Sequence, residues 1–140
     1  MISIAVCDDN EITAQEISEK VKQCCPIEAE VSVFYHIKDI LFSIHNENKL
    51  FDIIFMDIEF DVSSGIEASK QINAWHPDCQ IIYITNYTNY FTSVYETSHI
   101  YYILKKDIDT YLSTALKKAI QQIAKITQYY LIIQSKQQHI

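Results

Sequence analysis

The sequence predicts an α/β protein built as a doubly wound, five-stranded parallel sheet with helices on both faces. Two observations carry this. Five short apolar runs alternate strictly with segments whose apolar residues recur at helical spacing, the pattern of repeated strand–helix–strand units. The run 51–56, Phe-Asp-Ile-Ile-Phe-Met, is apolar on both faces, as a strand covered from both sides must be.

Each element follows in order. The first strand, Ile2–Cys7, closes on the pair Asp8-Asp9. In the next segment Ile12, Ile17, Val21 and Cys24 share one helical face, Asp9 or Asn10 can cap its start, and Pro26 stands just past its end. A second strand is expected at 30–35 and a short helix over Ile37–His45. The third strand, 52–56, ends at Asp57, and a helix carrying Ile66, Ala68, Ile72 and Trp75 starts near Ser63 or Ser64 and stops before Pro77. A fourth strand, 80–84, leads to Thr85, and a weakly patterned fourth helix is expected at 89–97. The fifth strand, 100–104, ends at Lys105. From about Asp107 a fifth helix carries Ile108, Tyr111, Leu112, Ala115, Ala119, Ile123 and Ile126 at helical spacing. The run Tyr129-Tyr130-Leu131-Ile132-Ile133 is β-branched and aromatic, which favours strand; it is either the end of that helix or the first strand of a further domain.

With 140 residues the chain has the size of one domain, and an apolar fraction of 49% is ample for a core. No apolar stretch reaches the roughly 20 residues of a membrane span, and the start lacks the features of a signal peptide, so a cytoplasmic protein without membrane contact is expected. The four cysteines show no CxxC spacing and suit a reducing compartment, with Cys24 and Cys25 adjacent where a bond would be strained. The five histidines form no i, i+4 pair and no zinc pattern. The net charge is −7 and all 11 basic residues are lysine, so the side chain best suited to reading phosphate and guanine is missing; direct nucleic-acid binding is disfavoured.

Four strand ends carry the chemistry. In the flavodoxin-like strand order 2-1-3-4-5, strands one and three are neighbours at the switch point, where such sheets bind their ligands, so Asp8, Asp9 and Asp57 share one pocket. Three carboxylates that close repel one another unless one is protonated or a cation lies among them. Mg2+, a hard ion that keeps part of its water, suits that set. Thr85 and Lys105 could then contact phosphoryl oxygens on Asp57. Taken singly each residue has a plainer reading: a helix cap for Asp8-Asp9, a turn for Asp57, a strand end for Thr85, a solvated charge for Lys105. Their conjunction, in order at four strand ends, favours the site.

The stretches IAVCDDN, FDIIFMDIEFDVSSGIEA, IIYIT and YYILKK resemble the receiver (CheY-like) domain of two-component response regulators. The resemblance covers residues 1–125 and leaves 126–140 as the end of the fifth helix with a linker or the first strand of an absent output domain. It implies that Asp57 is the phosphoacceptor, that Asp9 binds Mg2+ directly with Asp8 helping through water, and that the Glu59 backbone carbonyl is a further ligand. It also implies that Thr85 is the switch hydroxyl, Tyr102 the switch aromatic and Lys105 the phosphoryl-contacting lysine. A sensor histidine kinase would donate the phosphoryl group, and the receiver would itself catalyse transfer rather than act as an enzyme on other substrates. Homodimerisation is expected through the face of the fourth helix, fifth strand and fifth helix, around Tyr90, Tyr95 and Tyr101. Three positions depart from the family pattern: Lys106 replaces a proline, Asn86 a small residue, and the loop after the third strand lacks its proline. The stretch YYILKKDIDTYLSTALKKAI followed by YYLIIQSK is similar to the junction between a receiver and a LytTR-type DNA-binding domain, which implies phosphorelay control of transcription, with DNA bound only by that further domain.

Two other classes stay in view. A haloacid-dehalogenase-like phosphatase also uses a strand-end aspartate, Mg2+, a hydroxyl and a lysine, and Asp57-Ile58-Glu59 imitates its acid pair; there, however, the metal acids follow the nucleophile. A nucleotide- or flavin-binding module would need a glycine-rich loop, and Gly65 is the only glycine.

Overall fold

The computed structural model describes residues 1–60, 64–86 and 93–138. Its five strands are β1 (Ile2–Cys7), β2 (Ala29–Phe34), β3 (Ile53–Met56), β4 (Gln80–Thr85) and β5 (Tyr101–Leu104). They form one parallel sheet in the order β2-β1-β3-β4-β5. The α-helices are α1 (Glu11–Cys24), α2 (Ile37–His45), α3 (Gly65–Trp75) and α4 (Ile108–Gln138). The doubly wound fold and its strand order are as the sequence predicts.

Period-two alternation along each strand splits the core into two layers. Ala5, Cys7, Ile54, Met56, Ile81 and Tyr83 pack against Ile37, Ile40 and Ile44 of α2 and Ile66, Ala68 and Ile72 of α3. Ile4, Val6, Phe55, Ile82, Ile84 and Ile103 point the other way, onto Ile17 and Val21 of α1 and Leu112, Ala115, Leu116 and Ala119 of α4. Each fully buried aliphatic side chain contributes roughly 1.5–3 kcal/mol, so these two layers hold the strand ends in place. The register Val6↔Phe55 and Cys7↔Met56 puts Asp8 and Asp57 side by side where β1 and β3 end.

Helix starts follow local chemistry. Asn10 Oδ1 accepts from Thr13 N and caps α1, and Ser64 Oγ accepts from Ile66 N and caps α3. Ser63, the other expected start of α3, lies outside the described residues.

Two expectations change. Of the fourth helix expected at 89–97, residues 89–92, Tyr90 among them, lie outside the described residues, and Ser93–Glu96 form a 3-10 turn. The preference of Tyr129–Ile133 for strand is overturned, because α4 runs unbroken through them to Gln138. Strand propensity is expressed only against a neighbouring strand, whereas a helix already growing adds one hydrogen bond per residue, and neither Gly nor Pro interrupts it. All four cysteines are free thiols, and no peptide bond of the described residues is cis, that before Lys106 included. No described helix is long and apolar enough to cross a membrane.

Candidate functional site

At the carboxyl ends of β1, β3 and β5 lies a cleft of about 270 Å³ lined by Asp8, Asp9, Asn10, Thr13, Asp57, Glu59, Phe60, Asn86 and Lys105. The oxygens of Asp8, Asp9 and Asp57 lie within 4.8 Å of one another. Asp8 and Asp57 are buried, at 1% and 7% exposure, while Asp9 faces solvent. At such separations two unit charges repel by roughly 3–4 kcal/mol at an effective dielectric of 20, a strain that a proton on one carboxyl or a positive charge among them relieves.

Part of that charge is Lys105, carried in from the end of β5. Its Nζ stands 2.7 Å from Asp8 Oδ2 as an ion pair and donates a hydrogen bond to Asp57 Oδ2 at 3.0 Å. The other oxygen of each carboxylate is held by backbone: Asn10 N donates to Asp8 Oδ1 at 2.9 Å, and Ile58 N to Asp57 Oδ1 at 2.8 Å. Burial, and then the charge of Asp8, pushes the Asp57 carboxyl up to about 6, against the opposing pull of Lys105. For Lys105 burial acts downward, but the contacts with Asp8 and Asp57 outweigh it, so its net shift is upward and the ammonium persists. One ammonium among three carboxylates leaves the cleft electron-rich. An all-oxygen set with room for water fits a hard divalent cation such as Mg2+, for which the Lys105 ammonium is a partial stand-in.

The structure thus brings Asp8, Asp9, Asp57, Glu59 and Lys105 together around one cleft. Thr85, at the end of β4, is fully buried, and its Oγ1 has no hydrogen-bond partner among the described residues; it does not line the cleft. Tyr102 is half-buried on β5, paired in register with Tyr83, with the two rings 6.3 Å apart. Glu59 is exposed and its backbone bridges Ser64.

Sequence reasoning missed two features. Asn10, Thr13 and Phe60 line the cleft, and the position of the first two at the cap and in the first turn of α1, directly after Asp8-Asp9, was the available signal. Gly65 was noted only as the lone glycine, yet its N donates to Ile58 O at 2.8 Å, and a Cβ there would collide with the Asp57 carbonyl. Glycine lets the start of α3 close over the backbone at the end of β3.

Comparison with known proteins bears on this arrangement. A family model described as the response regulator receiver domain matches residues 4–126. An uncharacterized response regulatory protein of Vibrio cholerae is 30% identical over 74 residues, which cover 53% of this chain and 28% of that protein. The match therefore covers well under half the length of that relative. Among solved structures, TrrA of Thermotoga maritima, a response regulator in complex with Mg2+-BeF, is 23% identical with a TM-score of 0.74, covering 85% of this chain and 99% of that one. A receiver domain protein of Clostridium thermocellum is 20% identical with a TM-score of 0.77, covering 90% and 99%. The BeF3-activated receiver domain of DrrB is 24% identical with a TM-score of 0.74, covering 86% and 98%. At these identities the structures share the fold. None of these comparisons supports the phosphatase reading.

Proposed function

The chain belongs to the response regulator receiver family, and from that premise we propose that Asp57 accepts a phosphoryl group from the phosphohistidine of a sensor histidine kinase, with Mg2+ held at Asp8, Asp9, Asp57 and the Glu59 carbonyl. The observation that carries this reading is the pairing of the buried Asp57 with Lys105, 3.0 Å away, in an otherwise acidic cleft.

An Asp57 oxygen forms the new bond to phosphorus as the phosphorus–nitrogen bond to the kinase imidazole breaks, and the departing imidazole takes up a proton. Asp57 must be ionised to attack, and a divalent cation held beside it would favour that form. Mg2+, when bound, offsets the charge of the incoming phosphoryl oxygens. Lys105 supplies one fixed positive charge, and Ile58 N keeps the carboxylate in one orientation. Thr85 supplies a hydroxyl without a protein partner among the described residues, free to hydrogen-bond a phosphoryl oxygen once drawn toward the cleft. Tyr102 would follow into the space released, a population shift that alters the surface of β5 and its neighbours around Tyr95 and Tyr101 and supports a homodimer there. A cytoplasmic regulator of transcription, with a LytTR-type DNA-binding domain beyond this chain, is the output this reading carries forward.

Incubation with acetyl phosphate and Mg2+ tests it by intact mass. One phosphoryl group is expected on the native chain and none on Asp57→Asn. Equal labelling of the two proteins overturns the assignment, and continuous turnover of the donor without a retained phosphoryl group favours a phosphatase instead.

A further inference from the structure

We propose, resting on the phosphoacceptor reading, that Tyr83 is the positioning residue that connects the switch to the surface before β5: its hydroxyl bolts residues 93–98 to the sheet in the resting protein, and the inward move of Tyr102 releases them. Tyr83 lies outside the acidic cleft. It is fully buried and stands two residues before Thr85 on β4, so both side chains share one face of the sheet. Its register partner on β5 is Tyr102, with the two rings 6.3 Å apart, and the ring of His99 is 5.3 Å away. A Tyr102 ring moving in beside Thr85 therefore has to move along Tyr83.

The hydroxyls themselves fix the direction of the bond. Thr97 Oγ1 donates to Val94 O at 2.9 Å, which commits its proton, so toward Tyr83 Oη, 2.7 Å away, it is the acceptor and the phenol is the donor. Val94 belongs to the core layer that also holds Tyr83, and Thr97 is buried. From outside, α3 holds the same segment: Asn73 accepts from Ser98 N at 2.9 Å and donates to Ser98 O at 3.2 Å, and Lys70 pairs with Glu96 at 2.7 Å. Those contacts are exposed, and water replaces them readily. The buried bond from Tyr83 to Thr97 has no such substitute, so its loss is what frees the segment. Tyr95, 82% exposed within it, is the side chain that the release repositions. An interaction made in the resting state and lost in the switched one opposes the switch by its own strength.

Calorimetric titration of the full chain with beryllofluoride and Mg2+, paired with hydrogen exchange of single amides by NMR, is the test. Tyr83→Phe keeps the ring and removes the donor, and Thr97→Val removes the acceptor. Each is expected to bind beryllofluoride about two- to tenfold more tightly than the native chain, and the double variant no more tightly than the tighter single one. In the native chain beryllofluoride should speed exchange of the Thr97 and Ser98 amides several-fold, and in Tyr83→Phe these amides should exchange at that faster rate without it. A general loss of stability would not tighten binding, and the Ile100 amide, which donates to Ile81 O at 2.8 Å, should keep its native rate in both variants. Equal or weaker binding by Tyr83→Phe, a double variant that adds the two effects, or unchanged Thr97 and Ser98 exchange in a native chain that has taken up beryllofluoride overturns the role of Tyr83 alone. A native chain that takes up no beryllofluoride overturns it together with the phosphoacceptor reading.

Discussion

The α-carbon of Gly65 lies so close to the carbonyl oxygen of Asp57 that the volume a Cβ needs is already occupied by backbone. Backbone cannot rotate aside as a side chain can, and the Cγ of Met56 closes the same space. Gly65→Ala should therefore push α3 away from β3, break the bond from Gly65 N to Ile58 O, and cost about 1–3 kcal/mol or more, the usual range for overpacking a core. Urea unfolding measures it. A midpoint equal to that of the native chain would show that α3 accommodates the methyl group freely.

The second prediction concerns the charge on Asp57. Its carboxyl titrates near 6 in the fold against 3.8 for the free group, because burial and Asp8 disfavour the anion. A folded pKa above the unfolded one contributes stability that is complete below about pH 4 and lost as pH rises through about 6. At pH 7.5 the ionised group thus burdens the fold by about 3 kcal/mol at most, at 1.36 kcal/mol per pKa unit. Asp57→Asn removes the charge and keeps the shape. Without metal, in EDTA, the variant should be the more stable protein at pH 7.5 by about 1–3 kcal/mol, and the gap should close toward pH 4. Thermal melts at the two pH values check this, and a gap that grows in acid would reverse the sign of the argument.

The β–α alternation, the strand order and the three acids were legible because they depend on local patterns repeated along the chain: apolar runs at strand length, helical spacing between them, and polar residues at each strand end. What was not legible depends on contacts between segments distant in sequence. Gly65 is a lone glycine until β3 is packed beneath it. Thr85 reads as a hydroxyl at a strand end, and only burial shows that it lacks a partner among the described residues. Tyr129–Ile133 misled in the opposite direction, since its β-branched composition has no neighbouring strand on which to act while the helix before it continues.

Asn86 supplies the third prediction. It lines the cleft directly after Thr85, in a place where the family keeps a small residue, and its exposed side chain stands at the approach to Asp57. An amide there should obstruct a water molecule attacking the acyl phosphate. Asn86→Ala is expected to shorten the lifetime of phosphorylated protein by several-fold without changing the initial rate of labelling. Decay followed by intact mass after removal of acetyl phosphate decides it, and an unchanged or longer lifetime would refute the steric gate.

Thr85 carries the last prediction, which separates its role in the resting fold from its role in switching. Its Oγ1 is buried with no hydrogen-bond partner among the described residues, so the unphosphorylated protein bears a desolvated hydroxyl and gains nothing from it. Replacement by valine, nearly the same shape without the hydroxyl, should leave the resting stability unchanged or raise it by up to about 1 kcal/mol. The cost should appear only when Asp57 carries a phosphoryl mimic. Beryllofluoride with Mg2+ is expected to raise the melting temperature of the native chain more than that of Thr85→Val, because the variant cannot donate to the new oxygens and Tyr102 has no vacated space to enter. Equal shifts in the two proteins would remove Thr85 from the switch, whereas a large loss of resting stability would mean that its hydroxyl already has a structural partner.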